Sequence, residues 1–171
     1  METWDAIRAR RNVREFNDQP VSQDDLDRIL EAGRRAPSAK NTQPWDFVVV
    51  TDPARLTELA RVWQGAWHVA GASAAIALVV PGFEDERQQA NARFDLGQAV
   101  MAMMVMAADL GLGTGHASVA DQDLAKEILG YPDGYSCGHL FSIGYPADRP
   151  IKVIRNPNRR PLDEVVHRQR W

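Results

Sequence analysis

A chain of 171 residues is long enough for one domain with its own core and too short for two domains of ordinary size. Twenty Lys+Arg against 23 Asp+Glu leave a formal charge of -3, which speaks against a polycation that holds nucleic acid by neutralising phosphates. The single cysteine, Cys137, excludes an intrachain disulfide framework and a multi-cysteine zinc site and suits a reducing compartment. The histidines at 68, 116, 139 and 167 form no ligand pair of a familiar metal spacing. The longest apolar run, residues 99–108, is about half the length of a membrane span. The expectation is a cytoplasmic protein with no nucleic-acid or membrane partner and no metal.

In chain order, residues 3–12 read as a short helix with Trp4 and Ile7 on one face. Ser22 opens the next helix as N-cap, with Asp25 as an acidic capping-box variant and Val21 and Leu26 as a hydrophobic staple. Leu26, Ile29 and Leu30 form its buried stripe, and Pro37 ends it. Residues 37–45 are a turn-prone loop and residues 47–51 a buried, β-branched strand. Asp52 and Pro53 start a helix with Leu56, Leu59, Ala60 and Trp63 inside. Residues 74–80 form a second strand. A long helix follows, from residue 84 or 87 to 110, whose second half is apolar on every side and so needs cover all round. That cover comes from the domain itself or from a second subunit. Asp121 caps a helix that Gly130 ends, and residues 137–143 are a third strand. From residue 144 onward the chain looks like an arm with no helix of its own. Few strands and no even strand-helix-strand repeat predict an α+β fold: a mainly antiparallel sheet flanked by helices.

Four segments carry candidate chemistry. Arg10, Arg11 and Arg14, with Asn12 between them, can converge on one anion, because guanidinium groups bind phosphate bidentately; equally, they can be a solvated helix end. The loop holding Pro37, Ser38, Asn41 and Gln43 joins a capped helix to a buried strand, and its amides and hydroxyl can read the donor and acceptor edge of a planar heterocycle or simply satisfy local backbone. Gly111 to Gly115 follows a helix instead of opening one, so it is no dinucleotide fingerprint; Gly111 or Gly113 reads as a helix-ending glycine, and small residues here let backbone approach a ligand. Arg159 and Arg160 lie in a basic stretch, residues 148–170, with seven basic groups and three acids. Cys137 reads as a buried thiol and His116 as a weak candidate bordering the glycines.

Taken together, these segments resemble the nitroreductase family of FMN enzymes. The likeness runs through the Arg-Arg-x-x-Arg-x-Phe opening (Arg10, Arg11, Arg14, Phe16), the Ala-Pro-Ser-x-x-Asn-x-Gln-Pro-Trp loop (residues 36–45), Gly-Leu-Gly-Thr at 111–114, Gly-Tyr-Pro at 144–146, and Arg-x-Pro-Leu-x-Glu-Val-Val at 159–166. The resemblance implies an intertwined homodimer with two FMN sites at the interface. Residues 1–146 would be the FMN-binding domain and 147–171 an arm wrapping the partner. It further implies that Arg10 and Asn12, where the family commonly has serine, hold the FMN phosphate beside Arg11 and with Arg159 or Arg160. Arg14 would stabilise charge at the N1 and C2 edge of the flavin, Asn41 would read the pyrimidine edge, and Pro37, Ser38 and Gln43 would shape that loop. Gly113, Thr114 and His116 would border the ring. NADH or NADPH would deliver two electrons by way of flavin N5 to a quinone, nitroaromatic or similar acceptor in a ping-pong sequence. Dehalogenation, enoyl reduction, flavin fragmentation and FMN storage without turnover stay open as alternatives.

Overall fold

The computed structural model describes all of residues 1–171. Helix α1, Thr3–Ala9, buries Ala6 and Ala9 and leaves Trp4 and Ile7 exposed. It ends three residues before the expected boundary because the backbone turns extended at Arg10 and Asn12 bridges to Thr114. Tertiary pairing has overridden local helix preference there. Helix α2, Gln23–Arg34, starts as expected: the Ser22 hydroxyl accepts from the Asp25 N–H at 3.1 Å and donates to the Asp25 carboxylate at 2.8 Å. Strand β1, Asp46–Val50, follows the 37–45 loop, and helix α3, Pro53–Leu59, is capped by Asp52. The helix stops at Leu59, and residues 60–69 continue as tight 3-10 turns, with Trp63 half-buried between them.

Strand β2, Ala74–Pro81, helix α4, Glu86–Asp109, strand β3, Gly113–Ala117, helix α5, Gln122–Leu129, strand β4, Tyr135–Gly144, and helix α6, Leu162–Val165, complete the order. The sheet therefore has four strands in the order β1-β2-β4-β3, every neighbour antiparallel. The strand missed in the sequence is β3, which contains two glycines and little β-branched character. A further correction concerns the arm, which does carry a helix, the single turn α6.

Strand β2 is apolar throughout because both of its faces are covered. Ala74, Ile76, Leu78 and Val80 face Leu26, Ile29, Met103 and Phe141 in the cluster that α2 and α4 build. Ala75, Ala77 and Val79 face Leu56, Leu59, Val62 and Leu140 on the other side. Helix α4 thus packs one flank against the sheet, burying Ala99, Val100, Met103, Met104 and Ala107. Its opposite flank is open: Phe94 is 70% and Met101 42% exposed, and Trp4 of α1 is 65% exposed. Ile7, Pro37, Phe94 and Met101 line one groove on this flank. No helix is long and apolar enough to cross a membrane. In the arm, Ile151 packs with Ala9, Val13 and Ala108, and the Ile154 N–H donates to the Arg8 carbonyl at 3.2 Å.

Candidate anion and ring site at the sheet edge

The arginine segment becomes an added rung of the sheet. Val13 is buried and its N–H donates to the Thr114 carbonyl at 2.9 Å, while Asn12 forms a lone parallel bridge with Thr114. The glycines of β3 are what make this approach possible. A Cβ at Gly113 would lie 2.7 Å from Val13 Cβ, and one at Gly115 would collide with the Val13 carbonyl oxygen. Gly111, at φ +80, is the residue that ends α4. The Gly-Leu-Gly-Thr-Gly run is thus a helix stop followed by a strand pared down to admit the arginine segment.

Along this rung the side chains alternate in fate. Arg10 donates to the Asn12 carboxamide oxygen at 3.3 Å. Burial and the nearby charge of Arg159 lower its pKa, so two like charges lie close enough to favour an anion beside them. Arg11 turns the other way. It donates to the Asp148 carboxylate at 2.6 Å and the Arg149 carbonyl at 2.7 Å, is only 14% exposed, and holds Asp148 ionised below the usual carboxylate range. Arg11 is therefore committed to anchoring the arm. Arg14 is exposed, makes no hydrogen bond within the chain, and its charge helps lower the pKa of both His116 and His68 after burial, the larger cause. Arg10 and Arg14 both lie near enough to His116 to lower its pKa, and Arg159 lies near Arg10. Arg160 instead folds back on Glu164, donating to its carbonyl at 2.9 Å.

Beneath the strand lies a residue the sequence did not single out. His68, from the turns after α3, is buried; its Nε2–H donates to the His116 carbonyl at 3.0 Å and its Nδ1 accepts from the Ser142 hydroxyl at 2.8 Å. Burial lowers its pKa and favours the neutral ring, whose Nε2 proton serves the carbonyl and whose Nδ1 takes the Ser142 hydroxyl proton. His68 and Ser142 brace β3 from behind. Nothing local to residue 68 signals this, since its partners are 48 and 74 residues away. Cys137 is buried and its thiol is pushed up to about 12 by burial, so it is inert.

The 37–45 loop is held separately. Ser38 Oγ accepts from the Gln43 N–H at 2.9 Å, Gln43 Nε2 donates to the Asn41 carbonyl at 3.2 Å, and buried Asp95 of α4 accepts from the Ala39 N–H at 2.9 Å. Gln98 reaches the Pro37 carbonyl at 3.5 Å. Lys40, Asn41 and Gln43 have φ of 54, 57 and 50, a left-handed backbone that non-glycine residues rarely adopt and that clusters at ligand sites. Asp95 is the second residue not foreseen from sequence; an acid inside an otherwise apolar helical face was its available signal. No hydrogen bond joins this loop to the arginines in one chain.

The fold and the site define an α+β protein with a cationic, glycine-bared sheet edge and a separate, strained polar loop. The Nitroreductase family model matches residues 7–81 and 61–145. A protein of Archaeoglobus fulgidus, provisionally named NADH dehydrogenase/NAD(P)H nitroreductase, is 29% identical over 169 residues, covering 96% of each chain. An NADH dehydrogenase of Thermus thermophilus is 30% identical over 190 residues, covering 92% of this chain and 91% of its own. An FMN-dependent nitroreductase structure from Clostridium difficile R20291 superposes with a TM-score of 0.84 at 26% identity over 98% of this chain and 99% of its own. The chain belongs to the nitroreductase family.

Proposed function

We propose that the chain is an FMN-dependent oxidoreductase that passes two electrons from NADH or NADPH to an electrophilic small molecule such as a quinone or nitroaromatic, by a ping-pong sequence. The observation that carries this reading is the gathering of Arg10 and Arg14 around His116, with Arg159 beside Arg10, on a strand edge whose glycines leave the backbone bare. Those residues suit FMN: two neighbouring guanidiniums for a phosphate, and an uncluttered strand for a planar ring. Bound there, FMN would supply a two-electron carrier that takes hydride from a reduced nicotinamide.

Arg10 and Arg159 hold the phosphate, with Asn12 donating its amide. Arg14, free of any partner in the chain, stabilises negative charge at the pyrimidine edge. Asn41 reads that same edge from the 37–45 loop, whose left-handed residues are held in place by Ser38, Gln43 and Asp95. His116, Gly113 and Thr114 border the ring. No protein acid or base is needed for hydride transfer; the chain's work is positioning and electrostatics.

The functional unit is a homodimer. A second copy seated on the open flank of α1 and α4 covers Trp4, Phe94 and Met101, each worth about 1.5–3 kcal/mol if fully buried, and brings a 37–45 loop to the partner's arginines. Residues 147–171 act as an arm that embraces this partner. A single, buried, unreactive thiol suits the cytoplasm. Anaerobic mixing of FMN-loaded protein with NADH and with NADPH tests the activity: the flavin absorbance is expected to bleach with at least one. Bleaching by neither overturns the donor assignment, and protein that cannot be loaded overturns the FMN site. Met101→Glu, placed on the open flank, is expected to shift sedimentation from dimer to monomer; a wild-type monomer refutes the dimer.

A further inference from the structure

Strand β4 carries a bulge that no part of the site above requires. Leu78 pairs with His139 and the next residue, Val79, with Cys137, so Gly138 is the extra residue. A Cβ at Gly138 would lie 2.7 Å from the end of the Leu96 side chain of α4, so the bulge sits directly against the helix. The bulge sets His139 diagonally from His116, which pairs with Phe141 on β3's side of the sheet. The two rings meet edge to face, with centroids 4.9 Å apart and an interplanar angle of 71°. His116 Nδ1 and His139 Nε2 are 2.7 Å apart.

An N···N hydrogen bond of that length needs one ring to donate and the other to accept, so two neutral rings share a single bridging proton. Neither ring makes another side-chain hydrogen bond within the chain, and no buried side-chain nitrogen lacks a partner, so the two outer nitrogens reach water. Both rings line a cavity of about 320 Å³ with Arg93, Leu96, Gly97 and Met101 of α4. The charged and titratable groups around the pair are Arg10 and Arg14 of the arginine segment with Arg159 beside Arg10, His68 behind the strand, Arg93 on α4 and neutral Cys137 on β4. No carboxylate lines the cavity. In the free protein every neighbouring charge is positive, and both rings are kept neutral, His139 with a pKa lowered to about 4 by burial and by His116.

We infer that the His116–His139 pair is a proton-holding device for the flavin site: it binds one proton from water when the ring edge beside Arg14 gains a negative charge, and gives it back when that charge leaves. This rests on the FMN reading above and deepens it. Two electrons and one proton arrive together as hydride from the reduced nicotinamide, adding one negative charge to the site. The pair takes one further proton from water, and the net charge of the site is unchanged. When hydride passes on to the acceptor, the pair returns its proton to water and the reduced product takes its second proton from water. The shared hydrogen bond is what suits the pair to this exchange, because the added proton sits on an outer nitrogen, facing solvent, while the bridging proton redistributes between the rings. His116, bordering the ring, senses the charge; His139 is a positioning residue acting through it.

The test is the pH dependence of the midpoint potential of the FMN-loaded protein between pH 6 and 8. Each proton taken up with two electrons lowers that potential by about 30 mV per pH unit. Wild type is expected to fall by more than about 30 mV per unit, most steeply toward pH 6, and His139→Gln, which keeps a side chain of similar reach but cannot take a charge, by about 30 mV per unit throughout. In wild type alone, the ¹⁵N ring signals of His116 and His139 are expected to move toward imidazolium on dithionite reduction, which needs no variant to fold. A wild-type slope of one proton, an unchanged slope in His139→Gln, or ring signals unmoved by reduction overturns the pair's role while leaving the FMN site standing. Protein that does not bind FMN overturns both.

Discussion

Gly113→Ala isolates the close approach on which the site depends. The added Cβ would stand 2.7 Å from Val13 Cβ, whereas carbon atoms pack at about 3.5 Å or more. Val13 Cβ cannot rotate away, so the arginine segment must retreat by about 0.8 Å. The same displacement stretches the 2.9 Å bond from Val13 N–H to the Thr114 carbonyl to about 3.7 Å, outside hydrogen-bond range. Losing that bond costs about 1 kcal/mol and forcing a methyl into a packed strand about 2 kcal/mol more. A chain of this length loses roughly 2–4 °C of melting temperature per kcal/mol, so the expected fall is about 6–12 °C. Differential scanning calorimetry of the flavin-free protein reads it directly, and equilibrium FMN titration reads the retreat of Arg10 and Arg14 as weakened binding. Gly71→Ala, at a position with no atom within 4 Å of the added carbon, is the control and should melt within about 0.5 kcal/mol of wild type. A Gly113→Ala protein that melts with wild type and binds FMN equally well refutes the reasoning.

Acidification should weaken the fold through its histidines. His139 titrates near pH 4 in the folded chain because of burial and His116, and near 6.5 once unfolded. The unfolded chain therefore binds protons first as pH falls; the contribution is complete above pH 6.5 and is lost between 6.5 and 4, with about 2 kcal/mol gone by pH 5. Urea midpoints at pH 7 and pH 5 measure this, and equal midpoints contradict it. Asp95→Ala removes the acceptor of the Ala39 N–H and should cost about 2 kcal/mol while accelerating amide exchange at residues 39–43; unchanged exchange there means the loop is held by something else. Arg14→Ala in the FMN-loaded protein should lower the flavin potential, because a positive charge favours the reduced, more negative state. A partnerless guanidinium 4 Å away would be worth about 4 kcal/mol at an effective dielectric of 20, and its exposure cuts this to about 1 kcal/mol, or about 20 mV for two electrons. A potential that does not move sinks the assignment.

Helices α2 and α5 were legible because their signals are local: Ser22 with Asp25 at one start, Asp121 at the other, and Gly130, at φ 72, at the end. Strand β3 was not, because its glycines answer to Val13, a hundred positions earlier, and no window of neighbouring residues contains both. The same distance hid His68 and its partners. The 37–45 loop could be recognised as rigid and polar from Pro37 and Pro44, yet the left-handed backbone of Lys40 and Gln43 runs against the habit of those residues and comes from Asp95 and Ser38 acting on it. The arginines divided on tertiary grounds as well: Asp148 takes Arg11 and Glu164 takes Arg160, whereas Arg10, Arg14 and Arg159 pair with no acid.

The pairing of residues 12–16 with Thr114 and Pro146 also sets an order of events during synthesis. The arginine segment leaves the ribosome well before its strand partners and before the arm that anchors Arg11. Contacts spanning so much chain form late and slow the search for the native state. This edge of the sheet is consequently expected to close after the more local pairing of β1 with β2.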